Sequence, residues 1–379
     1  MTEKLYYKDA YVSDFLANVL SVDESDSGYD VILDKTAFFP EEGGQSADTG
    51  LIGDCRVTYV YEKDGIVHHI TDSAPSLGEH WCNIDFDARF EKMQCHTAEH
   101  ILCGIIHLHF GLDNVGFHLG EDEVTFDVNG VLTREQLDMV ENIANEAVFS
   151  NLSVSTYFPT AKQLASINYR SKLDITEGIR LVEIDGIDIC ACCAPHVERT
   201  GEIGIIKILD FMKHRGGTRI WMVAGKRALR DYRSRYESTK KISGMLSTPQ
   251  SEITETLENY IADSELTRAA LKEARLKIAE LNALSVEKTC GSAVYLIPDF
   301  SIPELIEFSN LAGSKIGGIL VALSGGEGDY KYVISSHSQD LRAMAKEINS
   351  ALSGRGGGRP EMIQGSFSAP LTKIKEYFK

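Results

Sequence analysis

His96 and His100 stand four residues apart in KMQCHTAEHILCGIIHLHF, a stretch whose apolar residues recur at helical spacing. On a helix both imidazoles project from one face, about one turn apart, where they can reach a single ion. Cys192 and His196 repeat the same separation further along, after an extended stretch and around the turn at Pro195. Either pair alone occurs by chance in many chains. Together they offer three nitrogens and a thiolate, a complete tetrahedral donor set for zinc, and one zinc per chain is the expectation. The sulfur position stays open at this level. Cys190 falls on the same side as Cys192 in an extended strand, and Cys193 leaves only two residues before His196. Cys95, Cys103, His107 and His109 read as packing or surface residues, whereas His118 is a candidate to approach the metal. Glu99, on the same helix, is a candidate to orient water, with a salt-bridged surface glutamate as the ordinary alternative.

The string His96-Thr97-Ala98-Glu99-His100 also matches the His-x-x-Glu-His signature of inverted zinc proteases. Such a protease takes its third ligand from a carboxylate on a following helix. Here a cysteine and a histidine on a turn complete the set, so a metalloprotease is the weaker reading.

The elements that must position these groups can be outlined from pattern. The first ninety residues read as short strands broken by turns, with Asp64-Gly65 as a hairpin signal. From about Ala88 the period becomes helical. Thr133 and Gln136 form a capping box that opens REQLDMVENIANEAVFSN. IRLVEIDGIDICAC, IGIIKILDFMKH and TRIWMVAG then read as strands. Beyond Lys226 two helices follow, with Thr248 as a cap and Pro249 at the first helical position. Leu271, Ala274, Ile278 and Leu281 fall at coiled-coil spacing. The expected class is α+β: a small β-barrel over 1–90, an α+β zinc-binding domain over 91–226, a helical coiled-coil-like arm over 227–288, and an α/β domain over 289–379.

The 379 residues carry a net charge of -18, which opposes nonspecific coating of nucleic acid. A local basic patch can override that field. Between Ile205 and Ser243 eleven basic residues stand against three acidic ones, just after the second metal motif. The opening MTEKLYYKDAYVSDF has acidic residues where a signal peptide needs a basic start and an apolar run, and nowhere do eighteen apolar residues stand together. A cytoplasmic protein with no membrane partner is expected. Eight cysteines, four of them beside the histidine motifs, suit metal or thiol chemistry better than a disulfide framework.

Several stretches, in order, resemble the editing domain of alanyl-tRNA synthetase and its freestanding relatives, the AlaX proteins. LDKTAFFPEEGGQSADTG is similar to the glycine-rich motif, CHTAEHIL to the first histidine motif, and GFHLGEDEVTFDV to the strand region after it. CCAPHVERTGEIGIIKI resembles the Cys-Gly-Gly-Thr-His motif and its tail, and GRGGGRPEMIQGSF the end of the DHH-associated C-terminal domain. The resemblance spans nearly the whole chain and implies the long freestanding form, with residues 289–379 as that C-terminal domain. No segment for ATP and amino acid precedes the barrel stretch, so it implies ATP-independent editing: hydrolysis of the ester joining serine, or sometimes glycine, to alanine tRNA. Gly43 and Gly44 would let backbone approach the substrate, with Gln45 and Thr36 contacting a serine hydroxyl. Lys213, Arg215, Arg219, Lys226, Arg227 and Arg359 would contact tRNA, and a homodimer is expected. Two departures touch the pocket: Cys193-Ala194-Pro195 replaces Gly-Gly-Thr, and Glu42 stands where many relatives have glycine. The nonenzymatic alternative is a tRNA-binding scaffold around a structural zinc. A phosphohydrolase fails because the aspartate-rich motifs of a catalytic DHH domain are missing.

Overall fold

A two-residue strand β1 (Glu3–Lys4) leads into β2 (Asp14–Ser25), where buried Phe15, Ala17 and Val19 alternate with more exposed neighbours, the period of a strand with one face inside. Then follow β3 (Gly28–Leu33), a short β4 (Lys35–Thr36) paired with β1, β5 (Gly50–Ile52), β6 (Cys55–Lys63), β7 (Ile66–Thr71) and β8 (Gly78–Ile84). Strands β2-β3-β7-β6-β5-β8 close on themselves around Val31, Leu33, Ile52, Val57, Val60 and Val67. Asp64 and Gly65 join β6 to β7 with φ of 53° and 78°, the two positive values that a tight hairpin of matching twist requires. The computed structural model describes residues 1–120, 123–171 and 178–379. Glu121 and Asp122, within the stretch likened to a strand region, lie outside them.

Helix α1 (Phe86–Phe110) starts where the Asp85 carboxylate accepts from the Ala88 amide at 3.3 Å and stops at Gly111, whose φ of 65° suits a glycine C-cap. It is buried on every side from Lys92 to Ile106, so its polar residues need internal partners. Next come β9 (Asn114–Leu119), β10 (Val124–Val128), α2 (Arg134–Phe149) with the Thr133–Gln136 capping box in place, β11 (Val154–Tyr157), α3 (Ala161–Leu164), β12 (Leu181–Ile184), β13 (Asp188–Ala191), β14 (Ile206–His214) and β15 (Gly217–Ala224). They form a sheet of order β14-β15-β10-β9 and another of order β11-β12-β13. Ile101, Leu102 and Ile105 of α1 share a core with Val140 and Ala144 of α2 and Phe126, Ile220 and Met222 of the first sheet.

The chain divides into two compact units, Met1–Thr239 and Lys240–Lys379. Segments 1–90 and 91–226 therefore share the first. After α4 (Gly225–Leu246), Pro249 sits one residue before a single turn at Gln250–Glu252, and α5 (Ile253–Leu284) begins beyond it, so neither Thr248 nor Pro249 opens the long helix directly. In the second unit α5 buries Ala279 and Ala283, not the spaced seam: Leu271, Ile278 and Leu281 are about half exposed. The alanines pack on Leu305 and Phe308 of α6 (Ile302–Ala312), which follows β16 (Ala293–Leu296). β17 (Ile319–Gly326), β18 (Asp329–Ser336), α7 (Leu341–Ala351), β19 (Gly354–Arg359), β20 (Met362–Phe367) and α8 (Leu371–Tyr377) complete a sheet of order β16-β17-β18-β20-β19. The glycine-rich GRGGGR is thus a strand. A Cβ on Gly356 would run into the Gln364 carbonyl and the Tyr332 hydroxyl, so close packing explains that glycine.

Candidate metal centre

His96 and His100 leave α1 on one face, and the loop after β13 brings Cys192 and His196 to meet them. The four ligand atoms all lie within 4.8 Å of one another. Cys192 Sγ is 3.6 Å from His96 Nε2 and 3.4 Å from His196 Nε2. Each imidazole is anchored by its other nitrogen. His96 Nδ1 bonds Gln45 Oε1 at 2.9 Å, His196 Nδ1 bonds Thr97 Oγ1 at 3.0 Å, and His100 Nδ1 reaches Asp188 Oδ2 at 3.3 Å. With the proton on Nδ1 donated to these oxygens, all three Nε2 lone pairs face inward, the arrangement that metal-binding histidines require.

The anchors are themselves held. Arg170 grips Asp188 through Nε and Nη2, each at 2.7 Å. Gly104 lets α1 approach β13 closely: a Cβ there would lie 2.7 Å from Asp188 Cβ and 2.8 Å from the Ile187 carbonyl oxygen. The glycine-rich loop is clamped to α1 because Arg89 pairs with Asp48, whose Oδ2 also accepts from the Phe39 amide at 2.7 Å, and Lys92 donates to the Ser46 carbonyl at 3.2 Å. Gly44 passes against the Phe117 carbonyl with a φ of 84° and accepts from the Leu119 amide at 2.7 Å, which sets Gln45 beneath His96. Gln45 Nε2 is buried with no protein partner, an orphan donor next to the cluster.

Burial, the largest influence on the Cys192 thiol, pushes its pKa up, but the imidazoles of His96 and His196 and hydrogen bonds from His100 and His196 bring it well below the usual thiol range. Burial pushes Cys190 and Cys193 up, and in both the balance stays up. Among the three cysteines only Cys192 therefore has thiolate character. Burial holds His196 down at about 3, so its ring is neutral, as a ligand's must be. Three imidazoles, each held through Nδ1 with Nε2 turned inward, and one thiolate fit a metal ion of the zinc type. A second group, His100, Asp188 and Cys190, shares His100 with the first.

A cavity of about 400 Å³ opens onto the cluster, and Glu42, Glu99, His100, Arg180, Cys192 and Phe158 are among its lining. Glu99 is 2% exposed and so is no surface residue. Asn114 Nδ2 and the Cys103 thiol donate to its Oε1, and its Oε2 lies 3.9 Å from His100 Nε2. His118 is exposed on the opposite face of β9; its neighbour Phe117 packs on His96 with ring centroids 4.6 Å apart. Thr36 lies inside the barrel, where its Oγ1 bonds His69 Nε2 at 2.9 Å, away from the cavity lining. Of the basic residues, Arg227 is buried and donates to the Gly120 carbonyl at 2.8 Å, which corrects its expected role as an outward contact. Arg219 is committed to Asp127 by two 2.8 Å bonds, and Lys226 to Asp87 at 2.7 Å. Lys213, Arg215 and Arg359 are exposed. Sequence reasoning passed over Thr97, Asp188, Arg170 and Arg180. Thr97 carried a signal, a small hydroxyl residue amid the histidines, but the other three lie far from α1 in the chain.

Residues 179–242 match a family described as the threonyl and alanyl tRNA synthetase second additional domain. The chain is 35% identical over 301 residues to the alanine–tRNA ligase of Halobacterium salinarum, covering 74% of this chain and 32% of that enzyme. It is 27% identical over 396 aligned positions to the alanyl-tRNA editing protein AlaX-L of Pyrococcus horikoshii, covering 99% of this chain and 96% of that protein. The chain thus spans about a third of the ligase and nearly all of the editing protein. The solved C-Ala domain of Aquifex aeolicus alanyl-tRNA synthetase is also similar, at 18% identity and a TM-score of 0.22, over 24% of this chain and 94% of that domain.

Proposed function

We propose that the chain is a long-form member of the alanyl-tRNA editing family and a zinc-dependent hydrolase that removes serine, and secondarily glycine, from alanine tRNA. The observation that carries this reading is the convergence of three anchored imidazoles and a thiolate beside a cavity that Glu99 also lines. A synthetase pocket sized for alanine discriminates weakly against glycine or against a side chain that only adds a hydroxyl, so a second, hydrolytic sieve is needed. His96, His100, Cys192 and His196 would hold the zinc, which would supply Lewis acidity and a water of lowered pKa. Asn114 and Cys103 hold Oε1 of Glu99 and fix the plane of its carboxylate, which orients the attacking water and takes its proton. Gln45 keeps His96 in its ligating tautomer and leaves Nε2 as a donor beside the cluster. Exposed Lys213, Arg215 and Arg359 contact tRNA phosphates, which position the substrate without reading its sequence. A homodimer forms on the apolar seam that α5 leaves half exposed.

The alternative, a structural zinc in a tRNA-binding scaffold, requires the ligands to be sealed beneath packed side chains. A cavity lined by His96, His100 and Cys192 favours the hydrolase. The test is to incubate the zinc-loaded protein with seryl, glycyl and alanyl esters of alanine tRNA and follow deacylation. Faster loss of serine than of alanine is expected, and equal inertness toward all three sinks the proposal.

A further inference from the structure

Three arginines are buried among the described residues, and two of them meet a carboxylate. Arg89 pairs with Asp48, and Arg227 Nε lies 3.7 Å from Glu91. Arg180, 5% exposed, meets none among the described residues: its Nη1 donates to the carbonyl oxygens of Cys192 at 3.1 Å and Ala194 at 2.8 Å. Cations are rarely retained in such places without an anion to face. The thiolate of Cys192 is near, but in the loaded site its charge is shared with the metal. Arg180 also lines the cavity at the cluster, as does Arg170, which Asp188 already neutralises. A guanidinium buried against carbonyls is thus available to an anionic ligand.

An aromatic surface adjoins it. The Arg180 guanidinium lies 5.4 Å from the centroid of Tyr7, and Phe158 packs edge-on against Tyr7 with centroids 5.5 Å apart at 73°. Phe158 is 53% exposed and lines the same cavity, so one face of its ring is open to a ligand there. A buried fork for a phosphate beside an exposed ring for a base is the equipment for one nucleotide at the end of a strand.

We propose that Arg180 binds the phosphodiester preceding the terminal adenosine of the acylated tRNA and that Phe158 stacks on that adenine, so the ester is delivered to the metal cluster. The assignment rests on the hydrolase reading above and names the part of the substrate that the cavity holds. Arg180 here is a binding residue; the geometry gives it no part in proton transfer.

The test uses the zinc-loaded full chain and two probes, adenosine 5′-monophosphate and adenosine, titrated by calorimetry. The wild type should bind the phosphorylated probe about tenfold more tightly, the worth of one charge-assisted hydrogen bond. Arg180→Gln should erase that preference while retaining zinc by elemental analysis, and Phe158→Ala should weaken both probes alike. Equal affinity of the wild type for the two probes, or no binding of either, overturns the proposal. So does a preference that survives Arg180→Gln. Should that variant fail to fold, the wild-type comparison still decides. Deacylation of seryl alanine tRNA is followed separately. Inert wild type with intact nucleotide preference defeats the hydrolase reading alone, whereas active wild type with no preference defeats only the nucleotide subsite.

Discussion

Replacing Asp188 with asparagine keeps the shape of the side chain and removes its charge, which separates two jobs that this residue does at once. Asp188 is 7% exposed, accepts from His100 Nδ1 at 3.3 Å and receives the Arg170 fork through two 2.7 Å bonds. Breaking a buried ion pair by removing one partner costs about 3–5 kcal/mol. The Arg170 side chain keeps 13% exposure and asparagine can still accept one bond, so the low end, about 3 kcal/mol, is expected. Separately, loss of a partner that orients a metal-binding histidine weakens metal affinity about 10–100-fold. Urea unfolding of the metal-free protein by tryptophan fluorescence measures the first effect, since Trp81 and Trp221 both lie within the unit Met1–Thr239. Zinc competition against a chromophoric chelator measures the second. Adding Arg170→Met should restore much of the stability, because the orphaned cation is gone, and should leave the metal affinity low. Undiminished zinc affinity in Asp188→Asn would refute the claim that Asp188 orients His100 for a metal.

Cys192→Ala should abolish stoichiometric zinc in elemental analysis while Cys193→Ala retains it; the reverse would show that the sulfur ligand is misassigned. His69 is fully buried, held at about 4 by burial, with its Nδ1 on the Val31 carbonyl at 3.0 Å. Because its folded pKa lies below the unfolded value of about 6.5, its contribution is complete above that pH and is lost as pH falls toward 4. Stability should drop by about 2 kcal/mol between pH 7 and pH 5. His69→Gln should flatten that loss in urea titrations, and an unaltered slope would count against it. Gly104→Ala pushes β13 away from α1 and should cost about 1–3 kcal/mol together with zinc affinity; a variant equal to wild type in both would show that the close approach does not position Asp188.

Features set by neighbours in the chain were legible in the amino acids alone. The four-residue spacing of His96 and His100 places both on one face of α1, the Thr133–Gln136 box starts α2, and Asp64-Gly65 turns β6 into β7, because helix period, capping and turn dihedrals are local properties. Even so, pattern misjudged faces at close range. His118 and Phe117 are adjacent, and which of them meets His96 depends on the phase of β9 against the site, with the exposed phase falling to the histidine.

Partnership was not legible. Arg219, Lys226 and Arg227 count as basic patch in a linear reading, yet Asp127, Asp87 and Glu91 come to them from distant segments and absorb their charge. For Glu99 the sequence left a water-orienting role and a surface salt bridge both open, and only the covering of both sides of α1 removed the surface alternative. The same limit applies to the metal cluster. Residue type and spacing determined which side chains could ligate an ion. Only the tertiary structure decided that Gln45, Thr97 and Asp188, drawn from the glycine-rich loop, α1 and β13, would turn three imidazoles inward, because a hydrogen bond between residues far apart in sequence exists only once packing has paid the entropy of bringing them together.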